Sequence, residues 1–120
     1  MEFALGDDRS VESRLTVSRT YQGWRGVVHG GIVALLLDEA MAYAAGARGV
    51  RGVTADLKMR FRKAVPVGAP LTVRASVLWQ RRDVLGVAGT VADETGKVLA
   101  SGEGRFVARG ILRPGERLGA

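Results

Sequence analysis

Gln22 to Glu39 reads QGWRGVVHGGIVALLLDE, and the period of its apolar residues decides the architecture. From Gly30 or Gly31 to about Ala45, apolar side chains occupy every face of a helical wheel, and the segment runs out at Gly46 and Gly49, residue types that end helices. A helix that is apolar all round is expected to be buried all round. His29, the only histidine, stands where a loop hands over to this helix. Asp38 follows nine residues later among Leu35, Leu36, Leu37, Ala40 and Met41. An ionised carboxylate is costly in such company without a partner or a purpose.

Outward from the helix the period changes to two. Before it, Val11 to Arg19 alternates as a first strand, interrupted at Ser13, and Thr20 to Val28 with Gly23 and Gly26 is a loop. After it, Val53, Ala55, Leu57, Met59 and Phe61 alternate with Thr54, Asp56, Lys58, Arg60 and Arg62, the pattern of a half-buried strand. Pro66, Gly68 and Pro70 break that run. Leu71, Val73, Ala75, Val77 and Trp79 form the next, Arg81 to Asp83 makes a turn, and Val84 to Ala92 is a third. Asp93-Glu94-Thr95-Gly96 signals a hairpin with Gly96 at a left-handed position, and Val98 to Arg109 is the last strand. Gly110 to Ala120 is expected to be a loosely held tail.

The order is therefore strand, long helix, then four strands joined by short turns. This predicts an α+β fold, a curved antiparallel five-stranded sheet wrapped around one long central helix, in a single domain over residues 1–120. Five strands cannot cover both sides of such a helix, so two chains are expected to pair into a common sheet with their helices near the shared interface.

Composition excludes several functions. The chain has no cysteine, which removes disulfides, thiol catalysis and Cys-based zinc sites, and one histidine does not make a histidine-rich metal site. The N-terminus lacks the pattern of a signal peptide and no apolar run reaches membrane-spanning length, so the expectation is a cytoplasmic protein with no membrane partner. Fifteen of the 18 basic residues are arginine, spread from Arg9 to Arg117, and the net charge is +6. Such a surplus suits an anionic partner. Aromatics are sparse and no strip of basic and stacking residues exists, which argues against nucleic acid.

The QGxxGxxHGG stretch with an acid nine residues after the histidine resembles the signature of hotdog-fold acyl-CoA thioesterases of the phenylacetic-acid-degradation and 4-hydroxybenzoyl-CoA type, and the strand order extends the resemblance from Val11 to Val107. The resemblance implies hydrolysis of a medium- or long-chain or aromatic acyl-CoA, a homodimer and commonly a dimer of dimers, and no cofactor beyond the coenzyme A carried by the substrate. It places Gly30 at the thioester carbonyl and makes Asp38 the nucleophile or general base. His29 and Gly31 have supporting roles. Gln22 is the candidate amide, displaced by one position because Gly23 stands where the family often has asparagine or glutamine. Thr54 matches the place of a serine hydroxyl in some members, although alternation puts it with Asp56 and Lys58 on the polar side.

Geometry supports that division of labour. A helix starting near Gly30 offers unpaired N–H groups and its positive dipole end to a developing oxyanion. Asp38 lies eight residues on, roughly 12 Å away at 1.5 Å per residue. Both cannot reach one carbon within a chain, so Asp38 is expected from the partner subunit, as in the resembling enzymes. Glu39 points about 100° away from Asp38. For the CoA phosphates the candidates are Arg60, Arg62, Lys63, Arg81 and Arg82, among which sequence does not select. Two alternatives of other classes remain open: a non-catalytic acyl-CoA sensor, and a hydratase or dehydratase on the same fold.

Overall fold

The computed structural model describes residues 3–6 and 10–111. In chain order it contains β1 (Ala4–Leu5), β2 (Val11–Leu15), a 3-10 turn (Arg19–Tyr21), α1 (Gly30–Gly46), β3 (Val50–Phe61), β4 (Leu71–Arg81), β5 (Val84–Asp93) and β6 (Val98–Ile111). The strands form one antiparallel sheet in the order β1-β2-β4-β5-β6-β3. Among the described residues there are six strands rather than five, because the short β1 pairs with β2 outside the alternating segments. β6 continues to Ile111, into the expected tail, and residues 112–120 of that tail lie outside the described residues.

Helix α1 packs across the sheet from β2 to β6. Val33, Leu37, Ala40, Met41, Ala44 and Ala45 are buried against it. They meet Val73, Ala75, Leu85, Val87, Val91 and Phe106 in one core. The opposite face, with Gly31, Leu35 and Glu39, is exposed, so a single chain does not bury the helix all round. One sheet covers one side of a cylinder, and the apolar second side is left open. Leu35 is 57% exposed.

β3 does not pair with β4, the strand that follows it in the chain. The nine residues between β3 and β4 carry the chain across, and β3 pairs with β6 at the far edge. Among the described residues its outer edge is unpaired, and Val53, Leu57 and Phe61 remain exposed.

Of the four register shifts in the described sheet, two reverse the faces that alternation predicts in β3 and β4. In β3, Thr54 pairs with Phe106 and Asp56 with Arg105, leaving Ala55 as an extra residue. Side chains of a strand alternate faces, so one extra residue reverses them. Gly52 and Thr54 face the helix before the bulge; Met59 and Phe61 face it afterwards. In β4, Val77 pairs with Val87 and Trp79 with Gly86, leaving Leu78 extra. Trp79 therefore lies on the outer face, across Gly86, where a Cβ would stand 2.1 Å from the indole ring. Turn expectations hold at Gly96 (φ 88), and the β4–β5 turn places Arg82 at φ 53, a left-handed conformation that is strained for arginine.

Candidate active site

The helix N-terminus is built by His29. Its backbone leaves the helical range (φ −56, ψ 134), and its Nδ1 accepts the Gly31 N–H at 2.9 Å, so the imidazole caps α1. The His29 carbonyl accepts from Ile32 and Val33. Gly30 N–H has no acceptor among the described residues and is exposed. It opens on a cavity of about 540 Å³ lined by Trp24, Val28, His29, Phe61, Arg62 and Lys63, among others. An open N–H at the positive end of a 17-residue helix is a site for partial negative charge.

Gln22 is not aimed at this cavity. Its Oε1 accepts the Gly26 N–H at 3.1 Å and closes the loop that carries Trp24, itself 84% exposed. Gln22 and Val28 bridge the two ends of that loop. Gly31, with its N–H taken by His29, has no free donor for substrate.

Asp38 is half-buried on α1. Thr54 Oγ1 donates to its Oδ1 at 2.9 Å, which leaves Oδ2 without a partner among the described residues. The Ala55 bulge corrects the expected polar-side placement of Thr54 and sets it on the helix side. Glu39, one step round, is exposed.

The basic candidates do not gather at one place. Arg62 and Lys63 border the cavity at Gly30, whereas Arg60 lies in a neighbouring groove with Lys58 and Glu103. Arg82 sits at the β4–β5 turn, beyond the pairing of Arg81 with Val84 and at the opposite end of the sheet from Phe61. Lys97, missed by the sequence reading, lies near Lys63 and holds its ammonium below the ordinary lysine range, with the Asp93 carboxylate acting in the opposite direction. Two adjacent ammonium groups attract an anion. Met41, Tyr43 and Trp79 do not line the cavity at Gly30. Met41 is wholly buried in the core, Tyr43 packs on Phe3 with ring centroids 4.5 Å apart, and Trp79 lies on the outer face.

Alternation marks Asp56 only as a polar strand residue. Its Oδ1 accepts the Arg105 backbone N–H at 3.0 Å and its Oδ2 accepts Arg105 Nε at 2.7 Å, with the terminal guanidinium nitrogen in close contact with the same oxygen. The guanidinium holds the Asp56 carboxyl below the usual carboxylate range, and the carboxylate raises the Arg105 pKa in turn. Gly104, in the next position, lets the Asp56 carbonyl approach to where a Cβ would be 2.6 Å from it. A glycine inside a strand pattern signals such an approach.

A sequence model of the thioesterase superfamily matches residues 25–100. No curated protein sequence matches the chain significantly. Among solved structures, a thioesterase superfamily protein is 35% identical with a TM-score of 0.84, the match covering 88% of this chain and 54% of that one. The chain thus spans about half the length of that relative. A hypothetical thioesterase from Streptococcus pneumoniae, crystallised with coenzyme A, is 19% identical (TM-score 0.83; 87% and 84% covered). The Escherichia coli PaaI protein of the phenylacetic acid degradation operon is 24% identical (TM-score 0.80; 85% and 74% covered). The helix against an antiparallel sheet is the hotdog fold of these proteins. With the family match running from Arg25 through the helix to the start of β6, the chain belongs to the thioesterase superfamily.

Proposed function

We propose that the protein is an acyl-CoA thioesterase that releases a medium- or long-chain or aromatic acid from coenzyme A, working as a homodimer with two active sites, each built from both chains. The observation that carries this reading is the placement of an open Gly30 N–H and a Thr54-bound Asp38 carboxylate at opposite ends of an unpaired edge strand. Gly30 lies beside Phe61, the last residue of β3. Thr54 lies seven residues earlier, roughly 23 Å along an extended strand. Antiparallel pairing of two β3 edges about a two-fold axis sets the Thr54 end of one chain beside the Phe61 end of the other. Asp38 then approaches the partner's Gly30. The same pairing covers the exposed Val53, Leu57 and Phe61 and removes a twelve-residue free edge.

In the resulting site the thioester oxygen accepts the Gly30 N–H. Asp38 Oδ2 either takes a proton from a water that attacks the carbonyl carbon or attacks that carbon itself, while Thr54 fixes the carboxylate through Oδ1. Negative charge that builds on the oxygen is stabilised at the helix N-terminus. Collapse breaks the C–S bond, the thiolate leaves and takes up a proton, and in the nucleophilic route a water then hydrolyses the aspartyl anhydride. Arg62, Lys63 and Lys97 offer positive charge to the CoA phosphates, and Trp24 and Phe61 offer apolar surface to the substrate chain.

The coenzyme A in the pneumococcal relative and the operon of PaaI support a CoA thioester and an aromatic acyl group, respectively. The pneumococcal protein has also been altered to alanine at an aspartate and at a threonine sixteen positions later, the separation of Asp38 and Thr54. Assembly of two dimers into a tetramer and a cytoplasmic location belong to the same proposal; no helix among the described residues is long and apolar enough to cross a membrane.

The experiment is free-thiol release from short-chain, long-chain, phenylacetyl and benzoyl-CoA, comparing the intact protein with Asp38→Asn. Turnover of one class, abolished by the substitution in a folded dimer, supports the reading. Full activity of Asp38→Asn removes Asp38 from the chemistry, and binding of acyl-CoA without thiol release turns the assignment toward a sensor.

A further inference from the structure

The β3 bulge sets the hydroxyl of Thr54 on the same side of the sheet as Asp38, and a bulge in an edge strand needs something to hold its register. A regular strand over the same sequence would place Thr54 on the outer face and Ala55 under the helix. Nothing in the alternation of Val53, Ala55 and Leu57 opposes that slip, since it would bury an apolar alanine in place of a threonine. The structure supplies the opposition from the next residue. Asp56 accepts both the backbone N–H of Arg105 and its guanidinium, so one carboxylate grips main chain and side chain of the facing strand directly after the extra residue. Gly104 leaves room for the Asp56 carbonyl.

We infer that Asp56 is a positioning residue for the active site: clamped to Arg105, it locks the Ala55 bulge and so fixes Thr54 against Asp38. The inference deepens the thioesterase reading and rests on it for its kinetic part, but the register of β3 is a property of the fold and can be read without any substrate. Asp56 itself points to the outer face with Arg105 and acts only through Thr54.

The test compares Asp56→Ala, Asp56→Asn, Thr54→Val and the double variant Asp56→Ala/Thr54→Val. Misplacement of a catalytic group by a fraction of its proper geometry lowers kcat, so Asp56→Ala is expected to reduce kcat about tenfold or more with KM little changed. Asp56→Asn keeps an oxygen acceptor for the Arg105 N–H and is expected to recover most of that loss. In the Thr54→Val background, Asp56→Ala is expected to add less than about twofold, because both act through one contact. Additive losses, or a rise in KM alone, would overturn the inference. NMR contacts between Thr54 and Phe106, measured in the wild-type and Asp56→Asn proteins as well as in Asp56→Ala, give the substrate-free readout. Their loss in Asp56→Ala, with partial retention in Asp56→Asn, supports the clamp even if no acyl-CoA is hydrolysed. Their persistence in Asp56→Ala overturns the clamp even if the protein is a thioesterase. Should Asp56→Ala not fold, Arg105→Gln, which keeps the backbone N–H but removes the guanidinium charge, is read by the same contacts with the same two outcomes.

Discussion

Thr54 Oγ1 donates a hydrogen bond to Asp38 Oδ1 at 2.9 Å, joining the edge strand to the middle of the helix across sixteen residues of sequence. The contact gives an acid on an apolar helix its partner, and it leaves the second carboxylate oxygen without a partner among the described residues.

Thr54→Val keeps the shape of the side chain and deletes that donor. The expected result is a kcat lower by about tenfold, through loss of carboxylate orientation. The stability change is expected within about 1 kcal/mol, the size of one hydrogen bond. Steady-state kinetics beside a thermal melt separate the two. A variant as active as wild type shows that the hydroxyl has no part in the reaction.

Gly30→Pro isolates the N–H at the helix start. Proline is tolerated at the first helical position, and His29 already has the extended ψ of 134 that a following proline prefers. Helix content by circular dichroism should hold while kcat falls about 10²- to 10³-fold, the usual effect of removing one oxyanion donor. Retained activity in this variant means that another group binds the oxyanion.

Lys63→Glu and Lys97→Glu reverse charge at the paired ammonium groups. Each is expected to raise KM for acyl-CoA several-fold at low salt, an effect that fades as the ionic strength shortens the screening length to about 8 Å near 0.15 M. The same substitutions should leave KM unchanged for a pantetheine thioester lacking the nucleotide phosphates. Equal effects on both substrates would place the lysines elsewhere than at the phosphates.

Asp93 organises the β5–β6 turn, accepting Thr95 Oγ1 at 2.6 Å and the N–H groups of Thr95 and Lys97 at 2.9 and 3.0 Å. The Thr95 hydroxyl, followed by the two N–H groups, lowers its pKa. A carboxylate depressed in the fold stabilises above its unfolded value and loses that contribution as pH falls through the folded value. The difference in melting temperature between wild type and Asp93→Asn should therefore be largest near neutral pH and shrink below the ordinary aspartate range, about pH 3.9. A difference independent of pH would mean that the charge plays no part.

The helix, its glycine start and the succession of strands after it were legible because an apolar run, two-residue alternation and turn residues are local signals. Asp38 stood out for the same reason, as a charge in an apolar run. The pairing of β3 with β6 was not legible, since alternation tells that a residue run is a strand but not which neighbour it takes. Thr54 was placed on the wrong face because a bulge adds one residue without changing the pattern of residue types. Gly104 and Gly86 carried the available signal: glycines within strand runs mark close approach, here of the Asp56 carbonyl and the Trp79 ring. Lys97 was overlooked because its nearness to Lys63 depends on the meeting of two connections at one end of the sheet.

The most direct test of a site shared between two chains is the activity of mixed dimers formed from Gly30→Pro and Asp38→Asn subunits, each inactive as its own homodimer. In a heterodimer one site receives both substitutions and the other receives neither, so random mixing should restore about a quarter of wild-type thiol release under two-fold symmetry. No recovery in a preparation shown to contain heterodimers would contradict the account, placing Gly30 and Asp38 of the same chain in one site.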